Sequence, residues 1–363
     1  MNLTTTVSAA AMLSAFMVLA DSAKAAIRRS DFQVSSEPGI TLAVREVTDT
    51  EAAVKRVPII LLHGARVPGV ASFDLAVEGG SLATDLARAG HRVFIMDARG
   101  YGGSTRPGQD GPQDGSALVR SDEVVRDLSA VVDEVEVRTG AERVALLGWA
   151  TGGHWAGMYA SRNSEKVSHL VVYNSLYGAH AGHKTLGPGS DTANPDNPDR
   201  FNTAKFGAYR LNTAASLLPS WDKSIPVEDK GAWRDPAVAK AYQEAALASD
   251  PTSSSRNPPA FRAPSGATAD SFELAAGRKL WNAGPITARV LIVRSEADFW
   301  SRPEDMTTLA ADLTSAARVR AVTIGQATHY VHLDRNERGR NAFLAEVTRF
   351  LGEPAPAGRA VDR

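Results

Sequence analysis

Cysteine is absent from all 363 residues, which excludes disulfides, thiolate metal sites and a cysteine nucleophile. Neither sign of charge is in excess. Lys and Arg number 40 against 41 Asp and Glu, a formal net charge of −1, so no global field draws nucleic acid or an anionic membrane surface. Beyond the N-terminus no apolar run is long enough to span a bilayer, and there is no cysteine to carry a lipid. No internal repeat is visible. The rest of the composition, 43% apolar and 22% charged, is that of a globular chain long enough for one large domain or two ordinary ones.

The N-terminus also lacks something: no Lys or Arg precedes the apolar stretch Val7–Ala20. That stretch is too short to cross a bilayer comfortably, and Ala23-Lys24-Ala25 follows as a small-x-small pattern. Residues 1–25 are therefore expected to be a signal peptide, with a mature start near Ala26 and export to the periplasm or medium.

From there the chain alternates strand and helix. Phe32–Val47, broken at Glu37-Pro38-Gly39, predicts an antiparallel hairpin at a sheet edge. Apolar runs predict strands at Ile59–Leu62, Arg92–Met96, Val144–Leu147, Val167–Tyr173, Ala288–Val293 and Val319–Ile324. Helical spacing predicts helices at Ser81–Ala89, Ser121–Arg138, Pro303–Ala316 and Asn336–Leu351. Strands that are apolar throughout and separated by helices indicate a doubly wound, mostly parallel α/β sheet covered on both faces. Residues 179–285 break the rhythm and read as a helical cap inserted between a core of 26–178 and 286–352. Residues 353–363 read as a flexible tail.

Open parallel sheets bind ligands beyond the carboxyl ends of their strands, and four strand ends here carry unusual residues. His63-Gly64-Ala65-Arg66 follows the first buried strand, and Gly148-Trp149-Ala150-Thr151-Gly152 follows Val144–Leu147. Ser295-Glu296-Ala297-Asp298 and Ala327-Thr328-His329 follow the last two strands. The two glycines around Ala150 mark a strand–turn–helix too tight for side chains on either side of the projecting residue. In G-x-S-x-G that residue is a nucleophilic Ser; Ala150 has no nucleophilic atom. Asp298 and His329 follow in the order acid, then base, with Glu296 and His332 as their respective competitors. His154 reads as a packed core histidine. Asp97 and Arg99 read as residues that lock a turn. His180 and His183 have the spacing of two metal ligands but no evident third, so no metal is expected.

These motifs, with Asp97-Ala98-Arg99-Gly100-Tyr101-Gly102-Gly103-Ser104, make the chain resemble the α/β-hydrolase superfamily from about Val57 to Leu351. The resemblance is to capped bacterial esterase- and lactonase-like members. It implies a cofactor-free serine hydrolase of esters or lactones, with Ala150 in the nucleophile's seat, Asp298 as acid and His329 as base. It implies an oxyanion hole from the amides of Ala65 and Thr151. Arg66 and Trp149 are candidate substrate-binding residues. The aromatics of the insertion (Phe201, Phe206, Tyr209, Trp221, Trp233, Tyr242, Phe261, Phe272 and Trp281) suggest a bulky, largely apolar small-molecule substrate, with about a third of them lining its pocket.

Three explanations of Ala150 stand open: a Ser→Ala inactivated hydrolase; a natural homologue that binds without cleaving, or uses His329 as the base of a lyase or cyclase; or replacement by the hydroxyl of Thr151 or Ser175. An Asp nucleophile, and amide or carbon–carbon bond cleavage, are compatible with the same machinery.

Overall fold

The computed structural model describes residues 27–53, 57–108 and 116–354. The expected signal peptide lies outside the described residues, as do residues 355–363 of the tail. Of that tail's start, the Glu353 carboxylate reaches Arg289 and Arg318 at 3.2 and 3.0 Å.

Eight strands form one sheet: β1 (Ile27–Ser35), β2 (Thr41–Asp49), β3 (Ile59–Leu62), β4 (Val93–Met96), β5 (Val144–Trp149), β6 (Val167–Tyr173), β9 (Arg289–Ala297) and β10 (Arg318–Thr328). Their spatial order is β1-β2-β4-β3-β5-β6-β9-β10. The pairs β1–β2 and β2–β4 are antiparallel and the others parallel. The hairpin lies at the edge, as its turn residues predict.

Side chains on the central strands alternate between faces, and both faces are apolar. Ile59, Leu61, Ile95, Leu147, Val171 and Leu291 enter one core layer. Ile60, Leu62, Phe94, Leu146, Leu170 and Ile292 enter the other. Burial on both faces is why these strands read as unbroken apolar runs. The first layer is covered by α1 (Gly69–Phe73), α2 (Leu82–Arg88) and α10 (Asn341–Leu351); the second by α3 (Ser121–Thr139), α4 (Thr151–Arg162) and α9 (Pro303–Asp312). Ser81 caps α2 by accepting from the Thr84 amide at 2.9 Å, and Gly140 ends α3 with φ 69°.

Between β6 and β9 the chain leaves the sheet. It forms α5 (Thr203–Phe206), α6 (Leu218–Ser224), α7 (Pro236–Ala248), α8 (Gly266–Ala275) and an antiparallel pair of strands, β7 (Tyr209–Thr213) and β8 (Ala260–Pro264). The helical cap expected here thus also contains a pair of strands. Other boundaries differ from expectation: β5, β9 and β10 run on past Leu147, Val293 and Ile324 to Trp149, Ala297 and Thr328. The helix from Pro303 ends at Asp312, and the helix expected from Asn336 starts properly at Asn341, because Arg338 and Gly339 leave helical geometry. Gly339 (φ 94°) passes Ala327 so closely that an added Cβ would lie 2.6 Å from the Ala327 Cβ.

Candidate active site

The turn after β5 is built by exclusion. A Cβ on Gly148 would lie 2.2 Å from the Gly152 carbonyl oxygen, and one on Gly152 would lie 2.1 Å from the Leu62 oxygen. Backbone therefore occupies the space on both sides of Ala150, which itself takes φ 52° and ψ −118°. Positive φ is costly for a residue with a Cβ and persists only where surroundings enforce it. Here the Ala150 amide is held by the Tyr173 carbonyl at 3.0 Å. The turn sits where β5 meets α4, so the first amides of that helix, Thr151 and Gly152, have no acceptor of their own among the described residues.

The loop after β3 faces this turn. A Cβ on Gly64 would meet the Ala150 Cβ at 3.6 Å. The His63 ring accepts at Nε2 from the Ala98 amide at 3.2 Å, so its Nδ1 carries the proton and donates to the Gly64 carbonyl at 2.7 Å. That bond fixes the peptide whose N–H belongs to Ala65. Burial holds the His63 imidazole below its ordinary pKa, consistent with the neutral tautomer. The Ala65 carbonyl is clamped by Tyr101 Oη and by Arg210 from β7, both at 3.0 Å.

Asp298 and His329 meet at the far side. His329 Nδ1 lies 2.6 Å from Asp298 Oδ1. Burial pushes the Asp298 carboxyl up, but His329 and donation from Ser301 and the Trp300 amide outweigh it and leave it below the usual carboxylate range. An ionised Asp298 can only accept, so His329 Nδ1 carries the proton and donates it in the hydrogen bond, and Nε2 is the nitrogen left with a lone pair. The backbone of His329 is pinned as well: its carbonyl accepts from Trp149 Nε1 and from Asn174 Nδ2, each at 3.0 Å.

Ala65, Arg66, Trp149, Ala150, Thr151, Asp298 and His329 all line one cavity of about 570 Å³. The competitors are elsewhere. Glu296 is exposed and accepts from the Gln326 amide at 2.7 Å. His332 is fully buried against Trp149, Phe73 and Tyr173. His183 uses both ring nitrogens within the protein, on the Trp300 carbonyl and the Thr185 amide. His154 accepts from Trp281 and contacts Ser121 in the core; burial takes its pKa down to about 4. Asp97 collects the amides of Gly69 and Gly103, and Arg99 pairs with Asp127 and Glu37.

Two features escape sequence reasoning. Asn174 follows β6 looking like any turn residue, yet it joins β9 to the His329 carbonyl. The aromatic wall is the other. Of the nine aromatics named in the insertion, Tyr242 alone lines the cavity. Trp221 and Phe261 are fully buried in the layer under the insertion, and Phe272 packs with Phe201 and Phe206. The wall comes instead from Trp149, Phe299, Trp300 and Tyr330 beside the strand ends.

A sheet of this order, with a strained turn after its fifth strand and an Asp–His pair on the loops after its last two, defines an α/β-hydrolase. The sequence matches the family Hydrolase_4, described as "Serine aminopeptidase, S33", over residues 76–336, and the chain belongs to that family. It is 34% identical over 126 residues to a 2-hydroxy-6-oxononadienedioate/2-hydroxy-6-oxononatrienedioate hydrolase of Cupriavidus pinatubonensis, a stretch covering 34% of this chain and 37% of that protein. The chain thus matches only about a third of that curated relative's length. Similar solved folds include the meta-cleavage product hydrolase of Pseudomonas fluorescens IP01, with a TM-score of 0.54 and 16% identity over 88% of this chain and 96% of that one. An esterase from Exiguobacterium antarcticum gives 0.54 and 16% over 89% and 100%.

Proposed function

We propose that the scaffold is a serine hydrolase of carboxylic esters or lactones, and that the present chain is its inactivated form, with Ala150 where the nucleophilic Ser belongs. The observation that carries this reading is the His329–Asp298 pair, held at 2.6 Å on the same cavity as Ala150. The buried carboxylate on an imidazole, the amides beside it and the strained turn around a methyl group are the parts that a Ser at position 150 would use.

With Ser at position 150, His329 Nε2 takes the hydroxyl proton as the oxygen attacks the substrate carbonyl. Asp298 stabilises the resulting imidazolium. The amides of Thr151 and Ala65 receive the developing oxyanion. The acyl–oxygen bond breaks, the leaving alkoxide takes the proton from His329, and water activated by His329 then hydrolyses the acyl-enzyme. Thr151 is a poor substitute nucleophile, since its Oγ1 is enclosed and has no hydrogen-bond partner among the described residues. Ser175 does not line the cavity.

The name of the Cupriavidus relative favours a second reading, carbon–carbon bond hydrolysis by the same residues. The apolar stretch at Val7–Ala20 supports export, which N-terminal sequencing of the expressed protein tests. Ala150→Ser tests the main reading: fluorophosphonate labelling and turnover of aryl esters are expected from it and not from the protein as it stands. A Ser form that neither labels nor hydrolyses any acyl substrate sinks the reading. Turnover of a vinylogous 1,5-diketone but of no ester moves it to carbon–carbon cleavage.

A further inference from the structure

The cavity wall is charged in one sense. Arg66, Lys184, Lys223, Arg294 and Arg302 line it, against the single carboxylate Asp298. That carboxylate has no capacity to spare. Its oxygens are taken by His329 Nδ1, by the amides of Trp300 and Ser301, and by Ser301 Oγ.

Of the five cations, Arg302 alone is neutralised among the described residues, by Asp305 at 2.8 Å. Among the described residues Arg294 donates only to the backbone carbonyls of Asp298 and Ser301. Arg66 meets neutral acceptors: the Asn212 side chain at 3.3 Å, and the Ser216 carbonyl and hydroxyl at 2.9 and 3.0 Å. Lys184 and Lys223 are exposed at the mouth, one on the loop after β6 and one on α6, and neither makes an ion pair among the described residues.

Arg210 adds to the excess just behind the wall. It has no carboxylate partner among the described residues and its Nε is buried without an acceptor. Burial, with the like charge of Arg66, brings its pKa down to about 10. Guanidinium groups gathered away from water without a counter-charge are destabilising. An arrangement of this kind is relieved when an anion enters among them, and positive walls of low dielectric also raise the local concentration of anions.

We propose that the substrate carries a carboxylate in addition to its reacting carbonyl, received by Arg66 inside the cavity and guided there by Lys184 and Lys223. This inference rests on the reading of the cavity as the acyl substrate's site. Half-esters of dicarboxylic acids, and lactones bearing a free carboxylate, have the required pairing of an anionic end with a cleavable acyl group. The aromatic wall of Trp149, Phe299, Trp300 and Tyr330 covers the carbon chain between them.

The protein as it stands allows a direct test, because Ala150 permits binding without acylation. The probes are methyl hydrogen succinate, glutarate, adipate and pimelate, each compared with its dimethyl ester by titration calorimetry. At least one half-ester is expected to bind about 10-fold tighter than its neutral diester, a factor set by charge-assisted bonding to Arg66. The advantage is expected to shrink with added salt and in the exposed double variant Lys184→Ala/Lys223→Ala. It is expected to vanish in Arg66→Gln. If every half-ester binds no tighter than its diester, or none binds measurably, the proposal is overturned. Fluorophosphonate labelling of Ala150→Ser reports separately on the hydrolase reading. A charge preference without labelling leaves the anion site and removes the hydrolase; labelling without a charge preference does the reverse.

Discussion

Trp149 Nε1 donates to the carbonyl oxygen of His329 at 3.0 Å. The residue before the nucleophile's seat thus holds the backbone of the residue that must take the nucleophile's proton, although 180 positions separate them. The same indole packs on the His329 ring, with centroids 5.2 Å apart. Trp149→Phe keeps most of that packing and removes the donor, leaving Asn174 as the carbonyl's remaining partner. A neutral hydrogen bond contributes about 1 kcal/mol. Unfolding in urea should show a loss near that size. In the Ala150→Ser background kcat should fall roughly 5- to 10-fold with KM little changed, the mark of a displaced base. An unchanged kcat would show that Asn174 alone positions His329.

Asp298 makes its contribution through charge and tautomer. Asp298→Asn in the Ala150→Ser background retains the volume but leaves His329 Nδ1 facing an amide that can present a donor. The expected loss in kcat is about 10⁴-fold. Half-ester binding to the Asp298→Asn form of the Ala150 protein should change little, because the carboxylate is turned toward His329 and Ser301. A loss of less than about 10-fold would mean that the pair is structural.

The glycines of the site separate into those that space requires and those it does not. Gly152→Ala places a methyl 2.1 Å from the Leu62 carbonyl oxygen, and no side-chain rotation relieves a clash with backbone. A cost of about 2–3 kcal/mol or more is expected from forced backbone movement. At Gly64 the nearest atoms to an added Cβ lie 3.6 Å away, in ordinary contact, and Gly64→Ala should cost under about 1 kcal/mol. Comparing the two urea midpoints checks the contrast. Equal destabilisation would mean that the turn relaxes far more easily than its packing indicates.

The sheet and the residues at its strand ends were legible because both are written locally. Ile59–Leu62 and Val167–Tyr173 are apolar without a break because each is buried on both faces, and His63 and Asp298 follow directly on strands. What the sequence hides depends on pairings across the chain. β7 and β8 each have five residues with weak alternation, and they pair across more than forty intervening positions. Asn174 meets Ser295 and His329 only because β6 lies beside β9. The aromatic wall is hidden for a related reason. A large side chain in a polar segment signals burial without saying against what, and in the insertion most of them bury against the sheet layer or one another. The position of Arg66 beside Ala65 marks it as a binding residue, but the one-sided charge of the cavity comes from five cations on separate segments.

Asp334 links the insertion to the loop that carries His329, and this gives the fold a dependence on pH. Its carboxylate accepts from the Thr328 amide and Thr328 Oγ1, each at 2.8 Å, and from Trp221 Nε1 of α6 at 2.9 Å. Trp221 in turn stacks on Tyr330, the residue after His329, with centroids 4.6 Å apart. Burial outweighs the three donors and raises the Asp334 pKa to about 7. In the unfolded chain an Asp titrates near 3.9. Between roughly pH 4 and 7 the folded protein therefore holds a proton that the unfolded chain has released, and stability falls as pH rises through that window. The stabilisation from this group is complete below about pH 4 and gone above about pH 7, with a slope approaching 1.4 kcal/mol per pH unit in between. Asp334→Asn cannot titrate. Urea unfolding at intervals from pH 4.5 to 8 should give the variant a slope more positive than the parent's by nearly one proton, whatever its absolute stability. Parallel slopes would place the Asp334 pKa in the ordinary carboxylate range and show that its three donors prevail over burial.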